Sequence, residues 1–216
     1  MKRYAIFGVG GCGRGVMPLA RRQLEACRES FELVFVDDHH KAGECNGHRV
    51  VRFDEWLNES ATDRVINLAI ANGKVRESLA YRCSENSVDF FEIRADNVVQ
   101  LDDTRIGEGA ILCPFVTVTS NVNIGRHFHA NLYSYVEHDS VIGDYVTFGP
   151  AVKCNGNVVI EDHVYVGAGA IIKNGKTNNP LIIGRSAVIG MGAVVTDDVP
   201  PGVTVVGNPA RILLKT

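Results

Sequence analysis

From position 106 onward the sequence repeats with a period of six, and no other feature limits the possible folds so strongly. Ile106, Leu112, Val118, Ile124, Ala130, Val136, Ile142, Phe148, Cys154, Ile160, Val166 and Ile172 are all apolar. In a chain that is 45% hydrophobic, such a run arises by chance in some frame only about a few times in ten thousand. The frame breaks over residues 173–182 and resumes at Ile183, Ile189 and Val195. Four residues after each anchor lies a second series: Ala110, Val116, Val122, Phe128, Ser134, Ser140, Val146, Val152, Val158, Val164 and Ala170. All but Phe128 are Ala, Ser or Val. Glycine recurs one residue after the anchor, at Gly107, Gly125, Gly143, Gly149, Gly167, Gly184 and Gly190. A period of six fits neither a helix nor a flat alternating strand. It describes a short strand and a turn, repeated, with one large and one small side chain directed into a narrow core. That is a parallel β-helix, in which each coil covers the one below.

The first half is built differently. Residues 4–7 read as a short apolar strand, followed by Gly8-Val9-Gly10-Gly11-Cys12-Gly13-Arg14-Gly15. Over residues 16–27, Val16, Leu19, Ala20 and Leu24 then fall at helical spacing. Strand, glycine-rich turn and helix cradle a phosphate: glycine lets backbone approach the ligand, and the helix N-terminus presents free N–H groups to an anion. Gly8, Gly10 and Gly13 match the G-x-G-x-x-G spacing, a signal that alone also describes a plain tight turn. A second strand over residues 31–36 ends on Asp37-Asp38, where a ribose or base is usually held. A third apolar run, residues 65–70, ends at Ala71-Asn72-Gly73. Residues 74–83 read as a helix and 88–93 as a fourth strand. The expected architecture is therefore an α/β Rossmann-like domain over residues 1–97, followed by the β-helix over 98–216. A full dinucleotide fold needs two such α/β halves. One half suggests a mononucleotide or a nucleotide sugar.

Charge and cysteine usage narrow the setting. The net charge of −3 leaves no basic surplus to neutralise a nucleic-acid backbone, so nucleic acid is not an expected partner. No run of 18 apolar residues predicts a transmembrane segment, and the apolar run after Tyr4 breaks at Gly8, too short for a secretory signal. Six scattered cysteines without CxxC pairs predict free thiols and a cytoplasmic protein. No metal site is expected. A zinc enzyme on this scaffold would repeat histidines one coil apart, and His127, His129, His138 and His163 do not.

The hexapeptide pattern resembles the left-handed β-helix of the hexapeptide-repeat acyltransferases. So does the ending Val199-Pro200-Pro201-Gly202-Val203, with Val206-Gly207-Asn208-Pro209-Ala210-Arg211. With the α/β unit in front, nearly the whole chain resembles the sialic acid O-acetyltransferase and bacillosamine acetyltransferase family. The resemblance implies roughly five triangular coils of three hexapeptides and a homotrimer. It also implies acetyl-CoA as co-substrate and transfer to the amino or hydroxyl group of a sugar, most often a nucleotide-linked 4-amino-4,6-dideoxy sugar. O-acetylation of sialic acid or a polysaccharide sugar is the alternative, and a non-catalytic nucleotide-sensing protein a further one.

Acyl transfer needs a base for the nucleophile's proton, and imidazole titrates near neutrality. His138, two residues past an anchor, should leave the core, with Glu137 and Asp139 as adjacent carboxylates; a solvent-facing histidine on a turn is the plain reading. The resemblance implies that His138 is the general base and Asp139 its orienting carboxylate. It implies that turn residues Thr147, Gly156, Ala168 and Met191 contact acetyl-CoA, Thr147 standing where the family often has histidine. The loop over residues 173–180 and Arg185, Arg211 and Lys215 are candidates for the CoA phosphates. It further implies that the nucleotide sugar is held by Gly10, Gly11 and Cys12 of the turn, by Asp37 and Asp38, and by Asn72. Cys12 again replaces a common histidine. His127, His129 and His163 read as packing residues, while His39 and His40 follow the acidic pair and are placed to approach a nucleotide.

Overall fold

The computed structural model describes residues 2–27, 30–40 and 43–214; Lys215 lies outside them. The first part runs β1 (Lys2–Phe7), α1 (Gly11–Ala26), β2 (Phe31–Val36), β3 (Gly43–Cys45), β4 (His48–Val51), α2 (Phe53–Asn58), β5 (Arg64–Leu68), α3 (Gly73–Glu85) and β6 (Asp89–Phe90). The strands form one sheet in the order β3-β4-β2-β1-β5-β6. All its neighbours are parallel except the β3–β4 hairpin. The unbroken apolar runs become the central strands because helices cover both faces there. On one face Ile6 and Phe35 meet Val16, Met17 and Ala20 of α1. On the other, Ala5, Val34 and Ile66 meet Phe53 and Trp56 of α2 and Ala80 of α3.

Two local expectations change, and one hairpin is added. Helix α1 begins at Gly11, inside the glycine-rich segment, because only Gly8 of that segment takes a positive φ and Gly10 already serves as N-cap. The strand expected over 88–93 is split. Asp89 and Phe90 extend the first sheet beside Val65 and Ile66, while Ile93 pairs with Ile111 in the coil stack. The sequence reading passed over the hairpin β3–β4, although Asn46 and Gly47, with φ of 50° and 79°, are the Asn-Gly pair that a two-residue hairpin favours.

From Ile93 on, strands of two or three residues stack in three sheets, parallel except at the final pair Thr204–Val206 and Arg211–Ile212. The register is 18 residues, as in Ile111 opposite His129, and lengthens across the loop that follows Ile172, where Tyr165 lies opposite Val188. The first face carries Ile111, His129, Thr147, Tyr165 and Val188 outward. The second carries Val99, Thr117, Tyr135 and Lys153; the third, Arg105, Asn123, Val141 and Val159. Every anchor from Leu112 to Val195 is buried, as is every member of the second series; Ile106 is partly so. Most corners turn at a left-handed residue three past the anchor. Phe115, Asn121, His127, Tyr133, Asp139 and Tyr145 have φ between 54° and 65°. Ser134 stays polar inside this core because its hydroxyl donates to the Gly149 carbonyl and accepts from the Val152 N–H.

The two parts share their cores. Ile93 and Ile111 join the α1 side and Tyr145 the α3 side. On the corner after the third face, the rings of His127, Tyr145 and His163 stack 5.1 and 5.4 Å apart, and Phe90 meets His127 edge-on. Gly73 of α3 lies so close that a Cβ there would stand 2.6 Å from the Tyr145 carbonyl oxygen. No helix among the described residues is long and apolar enough to cross a membrane.

Candidate active site

His138 sits on the corner after the second face, between the strands Tyr135–Val136 and Val141–Ile142. Its ring is half-exposed and its Nδ1 lies 2.8 Å from Asp139 Oδ2. Asp139 takes the left-handed turn position with φ of 57°, a conformation that Asp tolerates better than most residues. The bend turns its carboxylate back onto the preceding imidazole. Held in this way, the ring keeps its proton on Nδ1 and leaves Nε2 as the basic nitrogen. One coil further, Gly156 lies directly against the ring. A Cβ there would stand 2.5 Å from both Cε1 and Nε2 of His138, so no side chain fits without moving the imidazole.

The residues expected to meet acetyl-CoA fall on separate edges of the prism. Gly156 shares the corner of His138. Ala168 and Met191 lie exposed on the corner after the first face, Met191 at 83%. Thr147 points outward from the first face and is buried under the α/β unit, its hydroxyl donating to the Ala71 carbonyl and accepting from Arg76. The loop over residues 173–180 and the corner at Asp197 and Asp198 enclose an open cavity of about 530 Å³ in which Lys173 and Lys176 face these two acids. Arg185 is paired with Asp162 at 2.8 Å, and Arg211 is exposed.

In the α/β unit each glycine of the turn has a distinct reason. Gly8 has φ of 106°, and a Cβ on Gly13 would stand 1.8 Å from the Gly8 carbonyl oxygen, so Gly13 lets α1 pack onto the end of β1. Gly10 and Gly11 have open space beside them, and no side chain caps α1; its first N–H groups are free for an anion. Asp37 ties this turn to the end of β2. Its carboxylate accepts from the N–H groups of Val9, His39 and His40.

Asp38 is engaged elsewhere: it caps α2 through the Phe53 N–H and pairs with Arg82, which also reaches Asp54 and lies over the Phe53 ring. Burial alone would raise its pKa, but the Phe53 N–H and the Arg82 guanidinium outweigh burial and hold it below the usual carboxylate value. A depressed folded-state pKa stabilises above the unfolded value of about 3.9 and loses that contribution as pH falls through the lower folded value. Asp38→Asn should therefore cost about 1 kcal/mol at pH 7, discounted for a partly exposed pair. In urea titrations the gap to wild type should close at pH 2–3; a gap independent of pH would contradict the assignment. Asn72 caps α3, its Oδ1 accepting from the N–H groups of Lys74 and Val75.

Cys12, in the first turn of α1, lines a cavity of about 120 Å³ against the first face with Ile111, Cys113, His129 and Asn131. Burial raises its pKa and Arg76 opposes this. All six cysteines are free thiols. Among the described residues no group of three or more His, Cys, Asp or Glu is arranged to hold a metal.

Sequence reasoning passed over Arg76. It is fully buried on α3 and satisfied by neutral oxygens alone: the carbonyls of Ile70, Ala71, His127 and Val146, and the Thr147 hydroxyl. Burial lowers its pKa to about 10, leaving it charged at neutral pH. The nearby His127 is pushed down to about 4, by burial first and then by Arg76 and Arg126. In sequence Arg76 is one more charge on a polar helix; nothing marks it as buried.

No protein-family model matches the chain. GDP-perosamine N-acetyltransferase of Escherichia coli O157:H7 is 50% identical over 217 residues, covering 100% of this chain and 98% of that protein. The structure of WeeI from Acinetobacter baumannii AYE superposes with a TM-score of 0.96 at 50% identity, over 99% of this chain and 100% of that one. PerB from Caulobacter crescentus, in complex with CoA and GDP-perosamine, superposes at 0.85 with 25% identity, over 97% and 96%. The class is thus a sugar acetyltransferase on a parallel β-helix. With half its residues shared with such an enzyme from end to end, the chain belongs to the hexapeptide-repeat family of acetyl-CoA-dependent sugar acetyltransferases.

Proposed function

We propose that the protein moves the acetyl group of acetyl-CoA onto the 4-amino group of a nucleotide-linked 4-amino-4,6-dideoxy sugar, with GDP-perosamine the first to test. The observation that carries this is His138, its Nδ1 held by Asp139 and its Nε2 left as a base over Gly156. The neutral amine attacks the thioester carbonyl carbon and Nε2 takes the amine proton. The carbon–sulfur bond then breaks, and CoA leaves as a thiolate that recovers that proton from the imidazolium. The free first turn of α1 receives the diphosphate of the nucleotide, Asp37 shapes the turn beside the base, and Cys12 stands at the sugar end. In this reading residues 1–97 form a Rossmann-like nucleotide-sugar unit, and residues 98–216 a left-handed β-helix. The free thiols suit the cytoplasm.

One chain does not bring the two halves of this chemistry together. His138 occupies the corner after the second face. The Cys12 cavity opens against the first face and the corner that follows it, at Asn131 and Pro150. The second face lies between them. We infer a homotrimer in which the His138 corner of one copy meets the first-face corner of the next. Gly156 would then face Ala168 and Met191 across a groove for acetyl-CoA. On that same corner Phe115 and Tyr133 stack 4.7 Å apart while 52% and 61% exposed, an apolar pair suited to an interface.

Mixing tests both the function and the sharing of sites. His138→Ala and Cys12→Phe, the latter filling the sugar cavity, should each be nearly inactive with GDP-perosamine and acetyl-CoA. Co-expressed in equal amounts, they should recover about a quarter of wild-type activity, the fraction of interfaces in random trimers that pair two intact halves. No recovery, or a fully active monomer in sedimentation, would contradict shared sites; a wild type that acetylates no nucleotide-linked amino sugar would overturn the function.

A further inference from the structure

His129 lies on the first face where the α/β unit covers it, and is 4% exposed. Its imidazole donates to the Leu68 carbonyl at the end of β5. Its Nε2 has no hydrogen-bond partner, so the donor is Nδ1 and Nε2 carries an unshared electron pair. Burial first, and Arg76 second, hold its pKa well below the usual histidine value; the ring is neutral and its tautomer fixed. An acceptor stripped of water and left without a donor is costly, and its presence beside a cavity points to a ligand that supplies the donor.

The cavity is the one of about 120 Å³ that begins at Cys12. No charged side chain lines it; Ile111, Cys113 and Phe148 give it an apolar wall. The Thr147 hydroxyl is already committed to Arg76 and Ala71. Such a space suits an uncharged ring with an apolar substituent, not a phosphate. The diphosphate would stop at the first turn of α1, and the sugar would continue past Cys12 into this cavity.

We propose that His129 Nε2 accepts a hydrogen bond from a ring hydroxyl of the nucleotide-linked sugar and so selects sugars that carry it, with the 6-deoxy methyl group against the apolar wall. The inference rests on the proposed substrate class and adds a residue that decides among its members.

The test compares kcat/KM for the full nucleotide-linked 4-amino sugar with that for its 2-deoxy and 3-deoxy analogues. In wild type, one analogue should lose about 10- to 100-fold, because a site built to pair with a hydroxyl rejects the analogue lacking it. His129→Asn keeps a donor near the Nδ1 position for Leu68 and removes the Nε2 acceptor. It should lose a similar factor with the full substrate and no longer distinguish that analogue, while the KM for acetyl-CoA stays within about twofold. His129→Gln, which returns an oxygen near the Nε2 position, should restore part of the discrimination. Equal penalties in wild type and His129→Asn, or no penalty for either analogue in wild type, would overturn the role of His129 and leave the proposed function standing. Should His129→Asn fail to fold, the wild-type comparison together with His129→Gln still decides. A wild type inactive on every nucleotide-linked amino sugar would overturn the substrate class instead.

Discussion

Replacing His138 by alanine should lower kcat by about 10² to 10⁴, the usual worth of a positioned general base, while leaving stability and acetyl-CoA affinity nearly unchanged. The ring is 54% exposed and packs on the surface of a corner, so its removal opens no cavity in the β-helix. Asp139→Asn should cost less. Asn accepts the left-handed backbone of that turn as readily as Asp does, so the backbone survives and only the hold on Nδ1 and the stabilisation of the imidazolium are lost. With an amine acceptor, the residual rate of His138→Ala should recover partly at high pH, where solvent supplies the neutral nucleophile. Steady-state kinetics across pH check all three expectations. A His138→Ala enzyme retaining more than about a third of wild-type kcat would exclude the role; the base would then be sought elsewhere, or the amine taken to bind already neutral.

Arg76→Met should destabilise the protein by about 2–4 kcal/mol, the cost of leaving buried carbonyls unpaired after some relief of guanidinium desolvation. Of its acceptors, the carbonyls of Ile70 and His127 have no other hydrogen bond among the described residues, whereas Val146 also accepts from the His129 N–H and Ala71 from the Thr147 hydroxyl. The midpoint of thermal unfolding should fall by roughly 5–10 °C for a chain of this length. Arg76→Lys should recover little, since three donors on one nitrogen cannot serve oxygens spread over two units as a planar guanidinium does. Because Arg76 pins the Ala71 turn to the first face, the variant should also raise the KM for the sugar nucleotide more than that for acetyl-CoA. Calorimetry and kinetics on one preparation test both effects; an unfolding midpoint within about 1 °C of wild type would contradict the account, on the same scaling.

The β-helix was legible because its period is local. Each anchor, such as Val136 or Ile142, turns inward by its position within its own six residues, so a one-dimensional pattern specifies the coil. The glycine-rich turn was legible for the same reason, since the positive φ of Gly8 and the approach of Gly13 to the Gly8 carbonyl are set within a few residues. The pairing of His138 with Asp139 is also local, one residue apart along a bend.

Roles that depend on distant partners were not legible. Asp37-Asp38 read as an undivided acidic pair, yet the fold turns Asp37 to the glycine-rich turn and Asp38 to Arg82, 44 residues away. Asn72 read as a ligand and also proved to cap α3, although a residue that opens a helix and precedes glycine carried that signal. His127 and His163 entered an aromatic stack only because a coil of 18 residues brings them over Tyr145.

By itself, the sequence determined the coil architecture, the glycine-rich turn and the histidine–carboxylate pair, because each is encoded within one repeat or one turn. Only the tertiary structure decided that Arg76 crosses 51 and 71 residues to bind His127 and Thr147, and that His129 is buried with one nitrogen unpaired. It also decided that His138 stands one face away from the cavity beside Cys12. These follow from how the α/β unit docks on one side of the prism, a geometry set by packing between remote segments, which neither periodicity nor spacing records.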